Sequence, residues 1–174
     1  WDAAFVYFMC ALRSCLGIQE LYFRSSMFLE HSRNVPEAMS IALANMSSLA
    51  VLDLNDNLIT CEDISMNSHH ESFGTTLQEL HLKCHDLELE GVRFLVDMLK
   101  ACPLFRTLDL STGRLSDDDI EVLFRGVCEM PTLAWLNLNN NNVGDDGAQS
   151  IQEALPQCTS LVFLNLGSNV MTDV

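Results

Sequence analysis

The chain has 174 residues, of which 48% are hydrophobic and 19% charged, so it has enough apolar residues to bury a core and is not a disordered chain. Its 24 acidic and 9 basic residues give a net charge of -15, which disfavours binding to nucleic-acid phosphates and to anionic membrane surfaces. No apolar run approaches the roughly 20 residues that a membrane-spanning helix needs. We therefore expect a globular protein with no nucleic-acid partner and no membrane insertion.

One short pattern recurs along the chain. It reads Leu-x-x-Leu-x-Leu, followed in the best copies by an Asn three residues later, as in Leu133 to Asn141. Copies begin near positions 18, 49, 77, 105, 133 and 161, so the first spacing is 31 residues and the other four are 28. Alternating leucines point to one side of a strand, and an Asn side chain can bond the backbone of the turn that follows. Each copy therefore predicts a short strand and a turn.

Helical patterns lie between these strands. Residues 1–17 have apolar residues at helical spacing and are expected to be the helical half of an incomplete repeat. Similar apolar stripes follow the third, fourth and fifth strands; they comprise Val92, Leu95, Val96, Leu99, Ile120, Leu123, Phe124, Val127, Ala148, Ile151 and Leu155. The segment 61–76 lacks such a stripe, so we expect a loop or an irregular turn there.

Acidic residues mark two of the helix starts. Ser116 is expected to cap one helix together with Asp119, three residues further on. Residues 117–119 and 145–146 are all Asp and fall before or within a first helical turn, where the helix dipole favours negative charge. This explanation is sufficient, and no loop has the ligand spacing of an EF-hand, so we predict no calcium site.

Strand, turn, helix and turn at a fixed period predict an α/β fold, a parallel β-α solenoid in which each unit buries its apolar side against its neighbours. The sheet is expected on the concave face and the helices on the convex face. The chain resembles the leucine-rich repeat family, specifically its ribonuclease-inhibitor-like class with 28-residue repeats. We interpret residues 1–174 as a fragment of a single leucine-rich repeat domain. Because neither end has a polar cap, we expect the protein to continue beyond both.

The cysteines fit a structural role in this arrangement. Cys15, Cys102 and Cys158 share one column of the repeat, three residues before a strand. No two adjacent repeats both place Cys in that column, so we expect buried, reduced thiols. Reduced cysteines indicate a cytoplasmic location, and a cytoskeletal or ciliary one is compatible with the same observation.

Histidines and cysteines near the third strand suggest a metal site at first sight; they are His69, His70, His81, Cys84 and His85. The repeat is expected to place them on different sides of the chain, and zinc needs ligands that converge, so we predict no metal. The sequence has no nucleophile elbow, phosphate-binding loop or HExxH motif. We therefore predict no catalytic residues, no cofactor and no enzymatic activity.

The strand residues between the leucines are expected to line the concave face in columns. Trp135 and Phe163 share a column on adjacent strands, and the acidic residues near the centre would steer a basic partner. The predicted partner-binding residues are Tyr22, Asp53, Glu79, His81, Asp109, Trp135, Asn137, Asn139, Phe163 and Asn165. Exposed aromatic residues are enriched at interfaces. The alternative is that this pair packs on itself or beneath a flanking segment.

The most direct functional hypothesis is a noncatalytic scaffold that binds a protein partner, one with a basic surface, on the concave face. The resemblance also implies three alternatives. They are a GTPase-activating protein of the Ran type, the sensor domain of a nucleotide-binding immune-type receptor, and a cytoskeletal or axonemal scaffold.

Overall fold

The computed structural model describes residues 7–8, 10–12, 14–24, 45–57, 75–83 and 87–172. Within them are six three-residue strands, and a helix lies in each of the three connections that join the last four strands. The strands are β1 (Glu20–Tyr22), β2 (Val51–Asp53), β3 (Glu79–His81), β4 (Thr107–Asp109), β5 (Trp135–Asn137) and β6 (Phe163–Asn165). The helices are α1 (Leu89–Lys100), α2 (Asp117–Val127) and α3 (Asp145–Ala154), the last followed by a 3-10 turn at Leu155–Gln157.

The six strands form one parallel sheet in the order β1 to β6, so that each strand pairs with the next one along the chain. The register advances by one repeat per strand: Trp135 pairs with Phe163, and the middle residues Leu136 and Leu164 pair beside them. Helix α2 packs between α1 and α3 on one side of the sheet. The predicted parallel β-α solenoid is confirmed. Residues 7–8 and 10–12, within the expected N-terminal helical half, have helical backbone.

The core lies between the sheet and the helices. The middle leucines of β2 to β5 are fully buried, and so are the apolar stripes of α1 and α2. Each such side chain contributes about 1.5–3 kcal/mol by burial. Gly126 allows the two helices to approach closely, since a Cβ added there would lie 2.0 Å from a methyl of Val96.

The asparagines after the strands bind two repeats together. In Asn141, the side-chain amide donates to the carbonyl of Leu138 in its own repeat (2.9 Å) and to that of Leu110 in the preceding repeat (3.1 Å). Its Oδ1 atom accepts the backbone N–H groups of Gly113 and Leu115 at 2.9 and 3.0 Å. Asn57 and Asn169 make the equivalent donations, which confirms the predicted role of this position.

The residue before this position has left-handed backbone in four repeats: φ is 59° at Asp56, 63° at Thr112, 57° at Asn140 and 56° at Ser168. Asn and Asp tolerate this conformation, whereas a β-branched residue such as Thr does so only with strain. Thr112 is therefore the least suitable of the four side chains for its backbone.

The capping box at the start of α2 is present, as predicted: the Ser116 side chain accepts the Asp119 backbone N–H, and the Asp119 carboxylate accepts the Ser116 N–H at 2.8 Å. The acids that follow also have a role that the helix dipole did not predict. Asp117 accepts the N–H of Gly144 in the next repeat at 2.6 Å. Asp145 accepts the N–H and hydroxyl of Thr172 at 2.8 and 2.7 Å, and these two hydrogen bonds lower its pKa.

The cysteine prediction needs a correction. Cys128 and Cys158 form a disulfide bond, with 4.2 Å between their Cα atoms, so Cys158 is not a reduced thiol. Cys128 caps the C-terminal end of α2 and does not belong to the column of Cys15, Cys102 and Cys158. It is bonded to Cys158, which is the member of that column in the next repeat. Cys102 is buried as expected, whereas Cys15 is exposed. The cysteines therefore no longer argue for a reducing compartment.

Several other predictions concern residues outside the described ranges: the metal-ligand candidates His69, His70, Cys84 and His85, and most of the segment 61–76. Among the residues that are described, no helix has the length and apolar character needed to cross a membrane.

Candidate partner-binding surface

The first and third residues of each strand lie on the side of the sheet opposite the helices, which we call the open face. The first residues form one column, consisting of Glu20, Val51, Glu79, Thr107, Trp135 and Phe163. The third residues form a second column, consisting of Tyr22, Asp53, His81, Asp109, Asn137 and Asn165. The strand register thus brings the predicted site residues onto one surface.

Trp135 and Phe163 form a stacked aromatic pair at the β5–β6 end of the open face. Their ring centroids are 5.0 Å apart and the ring planes differ by 4°. Phe163 remains 42% exposed and Trp135 is half-buried, so the pair packs on itself and still contacts solvent. Such a stack contributes about 0.5–1.5 kcal/mol beyond the burial of its area. The pair is a partly exposed apolar patch on a face whose other strand residues are mostly polar.

Asp and Asn residues of the second column have a structural role that the sequence interpretation missed. The Oδ1 atoms of Asp109, Asn137 and Asn165 each accept the backbone N–H two residues further on, at 2.9–3.1 Å. Asp53 does the same at 3.0 Å, and Asn139 supplies the N–H that Asn137 accepts. These side chains close the turns that end β2, β4, β5 and β6, and the signal for it was their recurrence at that one position.

A charged cluster occupies the centre of the open face. His81 lies between two carboxylates, with Nε2 3.5 Å from Glu79 Oε2 and Nδ1 3.9 Å from Asp109 Oδ2. The interaction with Asp109 raises the pKa of His81; burial acts in the opposite direction, and Glu79 adds to the increase. Burial favours the neutral form of Asp109, but the interaction with His81 and hydrogen bonds from Ser111 and Asn137 outweigh it and lower its pKa to about 2.

The β1–β2 end of the face differs from the prediction. The side chain of Asp53 is completely buried and pairs with Arg24, whose Nε donates to Oδ2 at 2.6 Å. Asp53 is therefore covered, because the long Arg24 side chain reaches it from the neighbouring repeat. Arg24 also lies over the ring of Tyr22, 5.8 Å from its centroid, and the Tyr22 hydroxyl donates to Glu20 at 2.9 Å.

Among the predicted residues, the aromatic pair, the cluster around His81 and the exposed Tyr22 are accessible, while Asp53 is not. Within the described ranges, no group of three or more His, Cys, Asp or Glu side chains has the arrangement needed to hold a metal ion.

The sequence profile of the family described as "Leucine Rich repeat" matches residues 75–96, 130–151 and 157–174. The tropomodulin C-terminal domain from Caenorhabditis elegans has a similar structure, with a TM-score of 0.61 and 12% identity, covering 91% of this chain and 93% of that one. Leiomodin-1 Actin-Binding Site 2 (ABS2) is also similar, with a TM-score of 0.57 and 16% identity, covering 91% of this chain and 76% of that one. No curated protein sequence matches the chain significantly.

The matched segments and the parallel solenoid together define a leucine-rich repeat fold. At these levels of identity, the two solved structures establish a shared fold.

Proposed function

We propose that this leucine-rich repeat protein is a noncatalytic scaffold that binds a protein partner with a basic surface on its open face. The observation that supports the proposal is the exposed stack of Trp135 and Phe163, which lies outside the buried core. Rigid aromatic side chains of this kind are enriched among the residues that contribute most to binding. The net charge of -15 favours association with a basic surface. The 28-residue period supports placing the protein in the ribonuclease-inhibitor-like class.

The test is affinity capture on the immobilised chain, followed by a titration with the purified captured protein. The double variant Trp135→Ala, Phe163→Ala should weaken binding by about 1–3 kcal/mol while the chain stays folded. Leu155→Ala is a matched control, because Leu155 is 40% exposed, close to the 42% of Phe163, but lies on the 3-10 turn after α3. Unchanged affinity in the double variant would remove this surface as the binding site.

A second candidate function is actin binding, one form of the cytoskeletal alternative. It is favoured by the similarity, over 91% of this chain, to a structure named as an actin-binding site of leiomodin-1. Cosedimentation with filamentous actin tests it: the chain should pellet with the filaments in a saturable manner. A chain that stays in the supernatant at saturating filament concentration, and does not bind monomeric actin, would exclude this candidate.

A further inference from the structure

The first column of the open face has a small residue between two large ones. Thr107 on β4 pairs with Glu79 on β3 and with Trp135 on β5, and all three side chains are half-buried. Parallel strands are about 4.8 Å apart, so the backbones that carry Glu79 and Trp135 are separated by about 10 Å across Thr107. The short Thr side chain therefore leaves a gap between a carboxylate on one side and an indole on the other.

We propose that this gap receives an arginine side chain of the basic partner, an inference that rests on the proposed function and specifies what the surface recognises. A planar guanidinium can stack on an indole while its N–H groups pair with a carboxylate, whereas a lysine ammonium offers no planar face. Here the indole of Trp135 and the carboxylate of Glu79 stand on opposite sides of Thr107, which provides both kinds of contact.

The surroundings favour this geometry. Phe163, on β6, stacks on one face of the Trp135 indole, so the opposite face of the indole is the one left on the β4 side. The Glu79 side chain is 45% exposed and can be reached by a ligand. Asp109, on the same strand as Thr107, adds a second carboxylate beside the gap.

The charged groups around the gap are already partly paired. His81 contacts both carboxylates, at 3.5 Å from Glu79 and 3.9 Å from Asp109. These distances are longer than those of a strong charge-assisted hydrogen bond, about 2.7–2.9 Å. An arginine that enters the gap can therefore pair with Glu79 more closely than His81 does. Two more distant cations are paired with other acids: Lys83 with Asp56, and Arg24 with Asp53.

The experiment begins with selection of random twelve-residue peptides on the folded chain, using a displayed library. The selected peptides should share an arginine at one position. Replacing it by glutamine should weaken binding roughly 3- to 30-fold, the range expected for a stacked and paired cation, and replacing it by lysine should weaken binding less.

Variants of the chain locate the arginine. Thr107→Phe fills the gap, and Glu79→Gln removes the carboxylate while leaving the size of the side chain almost unchanged. Each substitution should lower the affinity for the arginine peptide at least threefold. Thr159→Phe, the same change at an exposed threonine outside the open face, is the matched control and should not. Thermal unfolding of each variant checks that it is folded, and the exposed Glu79→Gln variant remains informative if Thr107→Phe unfolds.

The outcomes separate the two proposals. Selected peptides that lack arginine, but lose binding in Trp135→Ala, Phe163→Ala, would overturn the arginine gap and leave the proposed surface intact. Arginine peptides that bind Glu79→Gln and Thr107→Phe as tightly as the parent chain would overturn it as well. Failure to select any peptide, or selection of peptides that bind equally well to Trp135→Ala, Phe163→Ala, would overturn both the arginine gap and the proposed surface.

Discussion

His81 on β3 and Asp109 on β4 are linked across the open face, with 3.9 Å between Nδ1 and Oδ2. Each raises the fraction of the other that is charged. The pKa of Asp109 falls from 3.8 to about 2, so its contribution to stability is present above pH 3.8 and is lost as the pH falls towards 2. The pKa of His81 rises above 6.5, so its contribution is complete below pH 6.5 and is lost as the pH rises through the folded-state value.

The first prediction follows from this pair. His81→Gln should lower the free energy of unfolding by about 0.5–1 kcal/mol between pH 4 and pH 6.5, and by less at pH 8.5 and at pH 2. Urea unfolding at these pH values measures the difference between the variant and the parent chain. Asp53 and Glu79 also act on His81. Combining His81→Gln with Asp109→Asn, which keeps the turn-forming Oδ1, therefore isolates the contribution of the His81–Asp109 pair to the free energy of unfolding. A pH-independent difference would contradict the prediction.

The second prediction concerns Thr112, whose φ of 63° is unfavourable for a β-branched residue. Asn140 adopts the same conformation one repeat later, at 57°. Thr112→Asn should therefore raise the free energy of unfolding by about 1 kcal/mol. Chemical denaturation measures it, and Thr159→Asn, at an exposed Thr outside the left-handed region, should change stability by less than about 0.5 kcal/mol.

The third prediction concerns Asn141, which satisfies two carbonyls and two backbone N–H groups. Asn141→Ala should cost about 2–4 kcal/mol, because several buried backbone groups would lose their partners together. Asn142→Ala is the control: its side chain is exposed and makes one long contact, 3.4 Å to the carbonyl of Arg114. Equal losses for the two variants would show that the asparagine position has no special role in joining the repeats.

The fourth prediction concerns the disulfide between Cys128 and Cys158, which closes a loop of 30 residues. A cross-link over a loop of this length stabilises a protein by about 2–4 kcal/mol. Reduction should therefore lower the denaturant midpoint of the parent chain but not that of a Cys128→Ala, Cys158→Ala variant. Peptide mapping under non-reducing conditions checks the pairing directly, and two unmodified thiols at these positions would refute it.

Much of the fold could be predicted because the period of 28 residues determines which residues stack. The spacing that placed Trp135 beside Phe163 in the sequence analysis is the register observed between β5 and β6. The cap at Ser116 and the bond of Asn141 to Leu138 could also be predicted, because both join residues that are three apart in sequence.

Predictions failed where a side chain reached outside its own column. Arg24 extends from one repeat over Asp53 in the next, and its length, rather than its position in the pattern, determines that Asp53 is buried. Cys128 lies off the column of Cys158, so comparing like positions could not pair them. Asp109 and Asn137 lie on the open face, and each also closes a turn through its Oδ1 atom. The repeat pattern predicted their place on the face but not the hydrogen bond within the turn.

The asparagine bonds give the solenoid a direction. Asn169 donates to the carbonyl of Leu138 and accepts the N–H of Val143, so the last described repeat supplies partners that the one before it cannot provide for itself. Asn57, Asn141 and Asn169 thus each complete the unit that precedes them in the chain. Removing the last repeat should therefore destabilise the repeat before it. The rate of amide hydrogen exchange should be highest in the β6 repeat and should decrease towards β4.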